Sequence, residues 1–251
     1  ALGQHVKAGN LDELTMTTNG SRLQQFAPLL ASAGMKRVNV SLDTLDANRF
    51  AQITRIGRLD TVLEGLEAAR ARGFLIKINM VALKSLNDDE YGGMLAWCMS
   101  QGFDLSFIET MPLGEVDEDR TSQFLSITRV REDMQCYWRL IDLPDRTGGP
   151  ARYVRLNETG QKVGFITPLT HNFCESCNRV RLTCTGTLYM CLGQDDAAEF
   201  RAMLRDPGVD DAALRQAIHD AIARKPKGHD FVIDRRQNRP AVARHMSVTG
   251  G

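Results

Sequence analysis

Residues 12–111 alternate between short runs with an apolar residue at every second position and longer stretches with apolar residues three and four apart. The period-two runs mark strands at 14–18, 38–42, 77–83 and 105–111. The longer stretches mark helices at 23–33, stopped by Gly34; at 59–72, stopped by Gly73; and at 88–100, with Asn87 or Asp88 as cap and Gly102 beyond. Strands joined by helices of this length pair in parallel through right-handed crossovers, so the pattern predicts an α/β sheet or barrel. Four strands do not close a barrel, and the first has no partner before it. The expected architecture is therefore a partial (β/α) barrel lacking its first strands.

The strand faces differ in character. Thr15 and Thr17 alternate with Leu14 and Met16, Asn39, Ser41 and Asp43 with Val38, Val40 and Leu42, and Lys77 and Asn79 with Ile76, Ile78 and Met80. The fourth strand sets Phe107, Glu109 and Met111 on one face. A parallel sheet covered by helices on both sides is normally apolar on both. A face that is polar on three of four strands lines a cavity or stands open to water. Lys77, in mid-strand, needs an anion there: a phosphate, or the carboxylate of Asp43 or Glu109.

Beyond Met111 the pattern changes, which divides the chain into 1–111 and 112–251. Residues 112–119 form an acidic loop, and 145–150 are turn chemistry. Residues 153–167 read as a hairpin about 157–160, and 179–191 as a second about Thr185-Gly186. Helical patterns at 197–204 and 211–224 follow, then a basic tail, 225–251. The second part is thus expected to be α+β.

Composition narrows the classes little. A 251-residue chain with 43% hydrophobic content can bury one large core or two smaller ones. Lys plus Arg equal Asp plus Glu at 31 each, so net charge points to neither nucleic acid nor membrane, and any anion site must come from local clustering. The sequence shows no membrane-spanning run and no secretory signal pattern, and a cytoplasmic location is expected.

Cysteine placement says more. Cys98 and Cys136 stand alone, whereas Cys174, Cys177, Cys184 and Cys191 fall within eighteen residues, a crowding that reads as metal binding. Cys174 and Cys177 can reach one centre from a tight turn, and the hairpin returns Cys191 beside them, with Cys184 left near the hairpin turn. Spacing alone leaves iron–sulfur and zinc equally open. Arg179 and Arg181 follow directly, on one face of a strand. Two neighbouring guanidinium groups suit a bridging phosphate, or are a solvated surface pair.

Taken together, Thr17-Thr18-Asn19-Gly20, Asn39-Val40-Ser41-Leu42-Asp43, Lys77-Ile78-Asn79, Phe107-Ile108-Glu109-Thr110-Met111, the run from Phe173 to Arg181, Cys191-Leu192 and the terminal Gly250-Gly251 resemble the molybdenum cofactor biosynthesis protein A family, the GTP 3′,8-cyclases of the radical SAM superfamily. The resemblance runs from about Leu11 to Gly251. It implies a radical-SAM barrel followed by a C-terminal iron–sulfur domain, and an enzyme that converts GTP to 3′,8-cyclo-7,8-dihydro-GTP with S-adenosylmethionine.

By position, the resemblance implies a C-terminal 4Fe–4S cluster on Cys174, Cys177 and Cys191. It implies GTP contacts from Thr17, Lys77, Arg179, Val180 and Arg181, S-adenosylmethionine contacts from Ser41 and Met111, and a catalytic role for the Gly250-Gly251 tail. A reductant and a homodimeric state are further expectations. The family's other 4Fe–4S cluster sits on a C-x3-C-x2-C motif that these residues do not contain, nor do they contain a Gly-Gly-Glu-Pro loop. Both would precede Ala1 in the family, so an N-terminally truncated chain, unable to start the radical chemistry alone, is expected. The alternatives are a non-catalytic GTP-binding iron–sulfur paralogue and a zinc-stapled structural module.

Overall fold

The structure, a computed structural model, describes residues 1–111, 113, 122–144, 149–170, 174–229, 242–244 and 246–249. The chain separates into two compact units, Ala1–Thr110 with Gln123–Thr167, and Met111–Ser122 with Pro168–Gly251.

The first unit runs α1 (Leu2–Lys7), β1 (Thr15–Thr18), α2 (Leu23–Ser32), β2 (Arg37–Ser41), α3 (Ala47–Thr54), α4 (Leu59–Arg70), β3 (Leu75–Ala82), α5 (Tyr91–Gln101) and β4 (Asp104–Glu109). It continues with α6 (Ile127–Gln135), β5 (Leu140–Asp142), β6 (Arg152–Leu156) and β7 (Lys162–Ile166). The seven strands form one sheet in the order β1-β2-β3-β4-β7-β6-β5, parallel from β1 to β7, with β6 antiparallel to both its neighbours.

Strands laid down in sequence order, each through a right-handed crossover, put their connecting helices on the same face. On that face Val38, Val40, Ile76, Ile78, Met80, Leu105 and Phe107 are buried, and they share one core with Leu23 and Ala27 of α2, Val62 and Leu66 of α4, Leu95 of α5 and Val130 of α6. Each of the valine, leucine, isoleucine, methionine and phenylalanine side chains among them contributes about 1.5–3 kcal/mol by leaving water. The opposite face carries the register rows Thr17–Asn39–Lys77–Asp104 and Ser41–Asn79–Ser106–Gly164. Phe107 and Glu109 do share a face, but it is the helix-covered one, and Met111 lies beyond the strand end.

The expected division at 111/112 differs from the way the backbone packs. β7 pairs in parallel with β4 (Leu105 with Val163, Phe107 with Phe165), so the hairpin β6–β7 covers an edge that β4 would otherwise leave open. The hairpin forms about Gly160, whose N–H donates to the Leu156 carbonyl at 2.8 Å. Three helices of this unit were not anticipated, α1, α3 and α6. The last two start at side-chain caps: Asp46 accepts from the Arg49 amide at 2.8 Å, and Ser126 from the Arg129 amide at 3.3 Å.

The second unit has an antiparallel sheet of β8 (Arg181–Leu182), β9 (Thr187–Tyr189) and β10 (Ala197–Glu199), in the order β10-β9-β8, and the helix α7 (Asp211–Ala223). Leu188, Met190, Phe200 and Ala221 form its core. Residues 197–204 were expected to be helical. Instead β10 pairs with β9, and the Phe200 amide donates to the Gly186 carbonyl at 2.8 Å. Burying Phe200 through that pairing overrides the helix propensity of Ala197 and Ala198.

Asn87 was a candidate helix cap, but α5 begins at Tyr91 and Asn87 has another task. Fully buried, it accepts from the Leu83 amide at 2.8 Å and donates to the Asp43 and Val81 carbonyls at 2.8 and 2.9 Å. It thereby ties together the chain leaving β2 and β3. Asn87→Leu would leave three buried backbone groups without partners, and we expect a loss of about 3 kcal/mol or more in urea denaturation. A loss below about 1 kcal/mol would show that the loop finds substitutes.

Candidate functional site

On the polar face of the first unit, β1 leads into a tight loop. The Thr18 hydroxyl accepts from the Gly20 amide at 3.1 Å, and the Asn19 side chain accepts from the Ser21 amide and hydroxyl at 3.1 and 2.8 Å. Gly20 has φ +77°, and a Cβ there would lie 2.8 Å from Val62 Cγ1, so no other residue fits. Thr17, just before this loop, accepts from Asn39 Nδ2 at 3.4 Å, while Asn39 Oδ1 is buried without a hydrogen-bond partner.

Lys77, next in the same row, is half-buried. Its Nζ donates to the Tyr153 hydroxyl at 2.9 Å. The two carboxylates considered as its partners are engaged with backbone instead: Asp43 accepts from the Val81 amide at 2.7 Å, and Glu109 from the Ile127 amide at 3.0 Å. Lys162 lies 4.9 Å from the centroid of the Tyr153 ring and Lys77 Nζ 5.5 Å. The ring rests on Gly164, where a Cβ would come within 3.1 Å of Tyr153 Cε1 and 2.4 Å of Ser106 Oγ. Tyr153 had no role in the sequence reading. The signal that could have found it is Gly164, a glycine inside a strand, which marks close approach by a neighbour.

Ser41 ends β2, exposed on the polar face, and Asp43 follows it. Burial pushes the Asp43 carboxyl up to about 6, against the opposing hydrogen bond from Val81. Met111 belongs to the second unit, where its carbonyl accepts from the Leu113 amide at 2.9 Å.

In the second unit Cys174 opens a single 3-10 turn, closed by the Cys177 amide on the Cys174 carbonyl at 3.0 Å. The β8–β9 hairpin turns at Gly186, φ +91°. All three cysteines are half-buried. Burial and then the charges of Cys191 and Cys177 raise the Cys174 thiol, so Cys174 lies in the field of the other two. At Cys177 burial works the same way, but hydrogen bonds from Arg179 and the charges of Arg179 and Lys225 outweigh it and lower the thiol. Cys184 is exposed and does not enter either field. Among the described residues, no three Cys, His, Asp or Glu side chains gather as the shell of a single metal ion. Three half-buried thiols, with Cys174 in the field of Cys177 and Cys191, suit a cluster held by cysteine.

Arg179 and Arg181 are half-buried, and Val180 and Leu182 between and after them are exposed, which places both guanidinium groups on the inner face. Burial and then the charge of Arg179 work against the Arg181 cation, and Arg244 adds to this, while Cys177 and Cys191 favour it. Two further cations escaped the sequence reading inside a tail noted only as basic. Lys225 Nζ donates to the Arg179 carbonyl at 2.8 Å and to that of Met190. Arg244 lies 3.9 Å over the Tyr189 ring, pairs with Asp195, and donates to the Leu192 and Gln194 carbonyls at 3.2 and 3.0 Å. Gly250 and Gly251 lie outside the described residues.

An incomplete parallel barrel with one polar face, and a separate unit bearing a cysteine trio, define a radical SAM class of fold. The Radical SAM superfamily model matches residues 3–98, and the Molybdenum Cofactor Synthesis C model residues 103–231. The chain is 63% identical over 250 residues to the GTP 3′,8-cyclase of Rhizobium meliloti (strain 1021), and 62% and 60% identical to those of Sinorhizobium medicae and Agrobacterium fabrum. Each match covers all of this chain and 71% of the relative. Streptococcus suis SuiB bound to S-adenosylmethionine superposes with a TM-score of 0.53 at 14% identity, over the whole of this chain and 62% of that one, a likeness of fold. This chain belongs to the GTP 3′,8-cyclase family of molybdenum cofactor biosynthesis. The expected α/β radical-SAM fold is borne out, and the superfamily implies a 4Fe–4S cluster and S-adenosylmethionine.

The raised Asp43 carboxyl carries a stability signature. The folded state holds this proton more tightly than the unfolded state, whose value is near 3.8, so stability falls as pH rises from about 4 through about 6. Asp43→Asn keeps an acceptor for the Val81 amide and cannot ionise. The variant should melt higher than wild type at pH 8, by up to about 3 kcal/mol, and the gap should close below pH 4. Parallel melting curves across that range would assign the titration elsewhere.

Proposed function

We propose that this chain carries the GTP-binding and second-cluster part of a GTP 3′,8-cyclase. In this reading Cys174, Cys177 and Cys191 hold a 4Fe–4S cluster. The cluster, when bound, supplies an iron with a position left open by its three-cysteine ligation. The residues assigned to GTP in this reading are Thr17, Lys77, Arg179, Val180 and Arg181. Ser41 and Met111 serve S-adenosylmethionine. The family's other cluster belongs to a C-x3-C-x2-C motif absent from these 251 residues, and no residue here is assigned to it.

The observation that carries this reading is the pair of half-buried arginines directly beside the thiol trio. A cation whose charge is opposed by burial and by neighbouring arginines gains most from an arriving polyanion. Guanidinium groups bind phosphate oxygens two at a time and so fix its orientation. Lys77 supplies a point charge that no carboxylate among the described residues pairs with, and its hydrogen bond goes to the Tyr153 hydroxyl. The Gly250-Gly251 tail is assigned an assisting role in catalysis. A reductant, a homodimeric state and a cytoplasmic setting that keeps thiols reduced complete the proposal. Among the described residues no helix is long and apolar enough to cross a membrane.

Arg179→Ala and Arg181→Ala should each weaken GTP binding roughly 10- to 100-fold in calorimetry while iron content stays constant, as expected for losing a charge-assisted contact. Unchanged affinity would remove these residues from the site. Cys191→Ser should lose iron and acid-labile sulfide, whereas Cys184→Ser should keep both. Equal loss in the two variants, with zinc as the bound metal, would favour a four-cysteine zinc site.

A further inference from the structure

The hairpin that brings the cysteines together stops short of them. Its ladder consists of Arg181 with Tyr189 and Leu182 with Leu188. Continued by one and two steps, it would pair Val180 with Met190 and Arg179 with Cys191, but β8 and β9 end before these residues. The separation of the Cys177 stretch from the Cys191 stretch is therefore not set by strand pairing. Lys225 occupies the place of the missing rungs. It stands just past the end of α7, where its amide closes the helix on the Ile222 carbonyl at 3.0 Å. Its ammonium group donates at once to the Arg179 carbonyl, two residues after Cys177, and to the Met190 carbonyl, immediately before Cys191.

Charge points the same way. Lys225 is half-buried, and no carboxylate among the described residues pairs with it; the nearby ion pair to Asp196 belongs to its neighbour Arg224. Arg179 and Arg181 add positive charge to the same side of the unit. An enclosed ammonium with only carbonyl partners is costly unless an anion is close. Three ligating thiolates are such an anion.

We propose that Lys225 is a positioning residue for the cluster, a brace that fixes the spacing of the two cysteine-bearing stretches and places a permanent positive charge beside them. This rests on the cluster reading above. It requires that the brace matter to how firmly iron is held and to how easily the cluster takes an electron.

The test uses the full chain, loaded anaerobically with iron and sulfide, as wild type, Lys225→Gln, Lys225→Arg and Arg224→Gln. The readouts are the rate of iron loss to a chelator, the electron paramagnetic resonance spectrum of the reduced cluster, and its midpoint potential. Lys225→Gln should release iron several-fold faster and shift the potential to more negative values, Lys225→Arg should restore the potential, and Arg224→Gln should match wild type. If Lys225→Gln loses all its iron with a native circular dichroism spectrum while Lys225→Arg holds it, the brace is equally supported. Wild-type spectrum, potential and release rate in Lys225→Gln overturn the proposal, as does an equal loss in Arg224→Gln. A wild-type chain that takes up no iron would instead remove the cluster reading, and this inference with it.

Discussion

Right-handed crossovers between strands added in one direction leave a sheet with two unlike faces, and the rest of the first unit follows from that asymmetry. Every apolar side chain that the strands offer to α2, α4, α5 and α6 is on one side, the face that includes Val38, Ile78 and Phe107. The other side receives no connecting helix, so Thr17, Asn39, Ser41, Lys77 and Asn79 can be polar without the cost of burying them against hydrocarbon. A doubly wound sheet of the same strands would have had to place these residues under helices. The chemistry assigned to this face is available because the topology never reverses between β1 and β4.

That much was legible in the sequence because it is written in local periods. The alternation along β1 to β3 marked the polar face, and Gly34, Gly73 and Gly102 marked where helices end; all three have positive φ, just beyond α2, α4 and α5. What stayed hidden depended on partners far along the chain. Nothing near residue 160 says that β7 will lie against β4, which is why the boundary expected at 111/112 cuts through what the backbone joins. The run Ala197-Ala198-Glu199-Phe200 suits a helix until Leu188 and Gly186 are beside it. Glu109 looked like a counter-ion for Lys77 only while its strand's covered face was unknown; the register turns it toward the start of α6 instead.

The candidate site divides along the same line. The cysteine trio and the Arg179–Arg181 pair stood out because chemistry-bearing residues crowd into one short stretch. Tyr153, Lys225 and Arg244 were missed because each acts on residues tens of positions away and none sits in a motif. A lone tyrosine opening a hairpin, or a lysine after a helix, carries no local mark of its role. Only the group at the other end of its hydrogen bond does or, for Tyr153, the glycine on which its ring rests.

The two lysines share a device. Lys77 and Lys225 both end on neutral oxygens, a phenol in one case and two peptide carbonyls in the other. A carboxylate partner would hold either ammonium more cheaply, but it would also cancel the charge that an anionic ligand would meet. Neutral acceptors fix the position of the nitrogen and leave its field standing. By contrast, Arg49, which grips Asp89 and Glu90 on the outside of the first unit, and Arg37, which grips Glu13, spend their charge on carboxylates and serve the fold. The distinction between a structural cation and one held ready for a ligand lies in this choice of partner. By that criterion Lys77 and Lys225 suit the roles proposed for them better than a purely structural one.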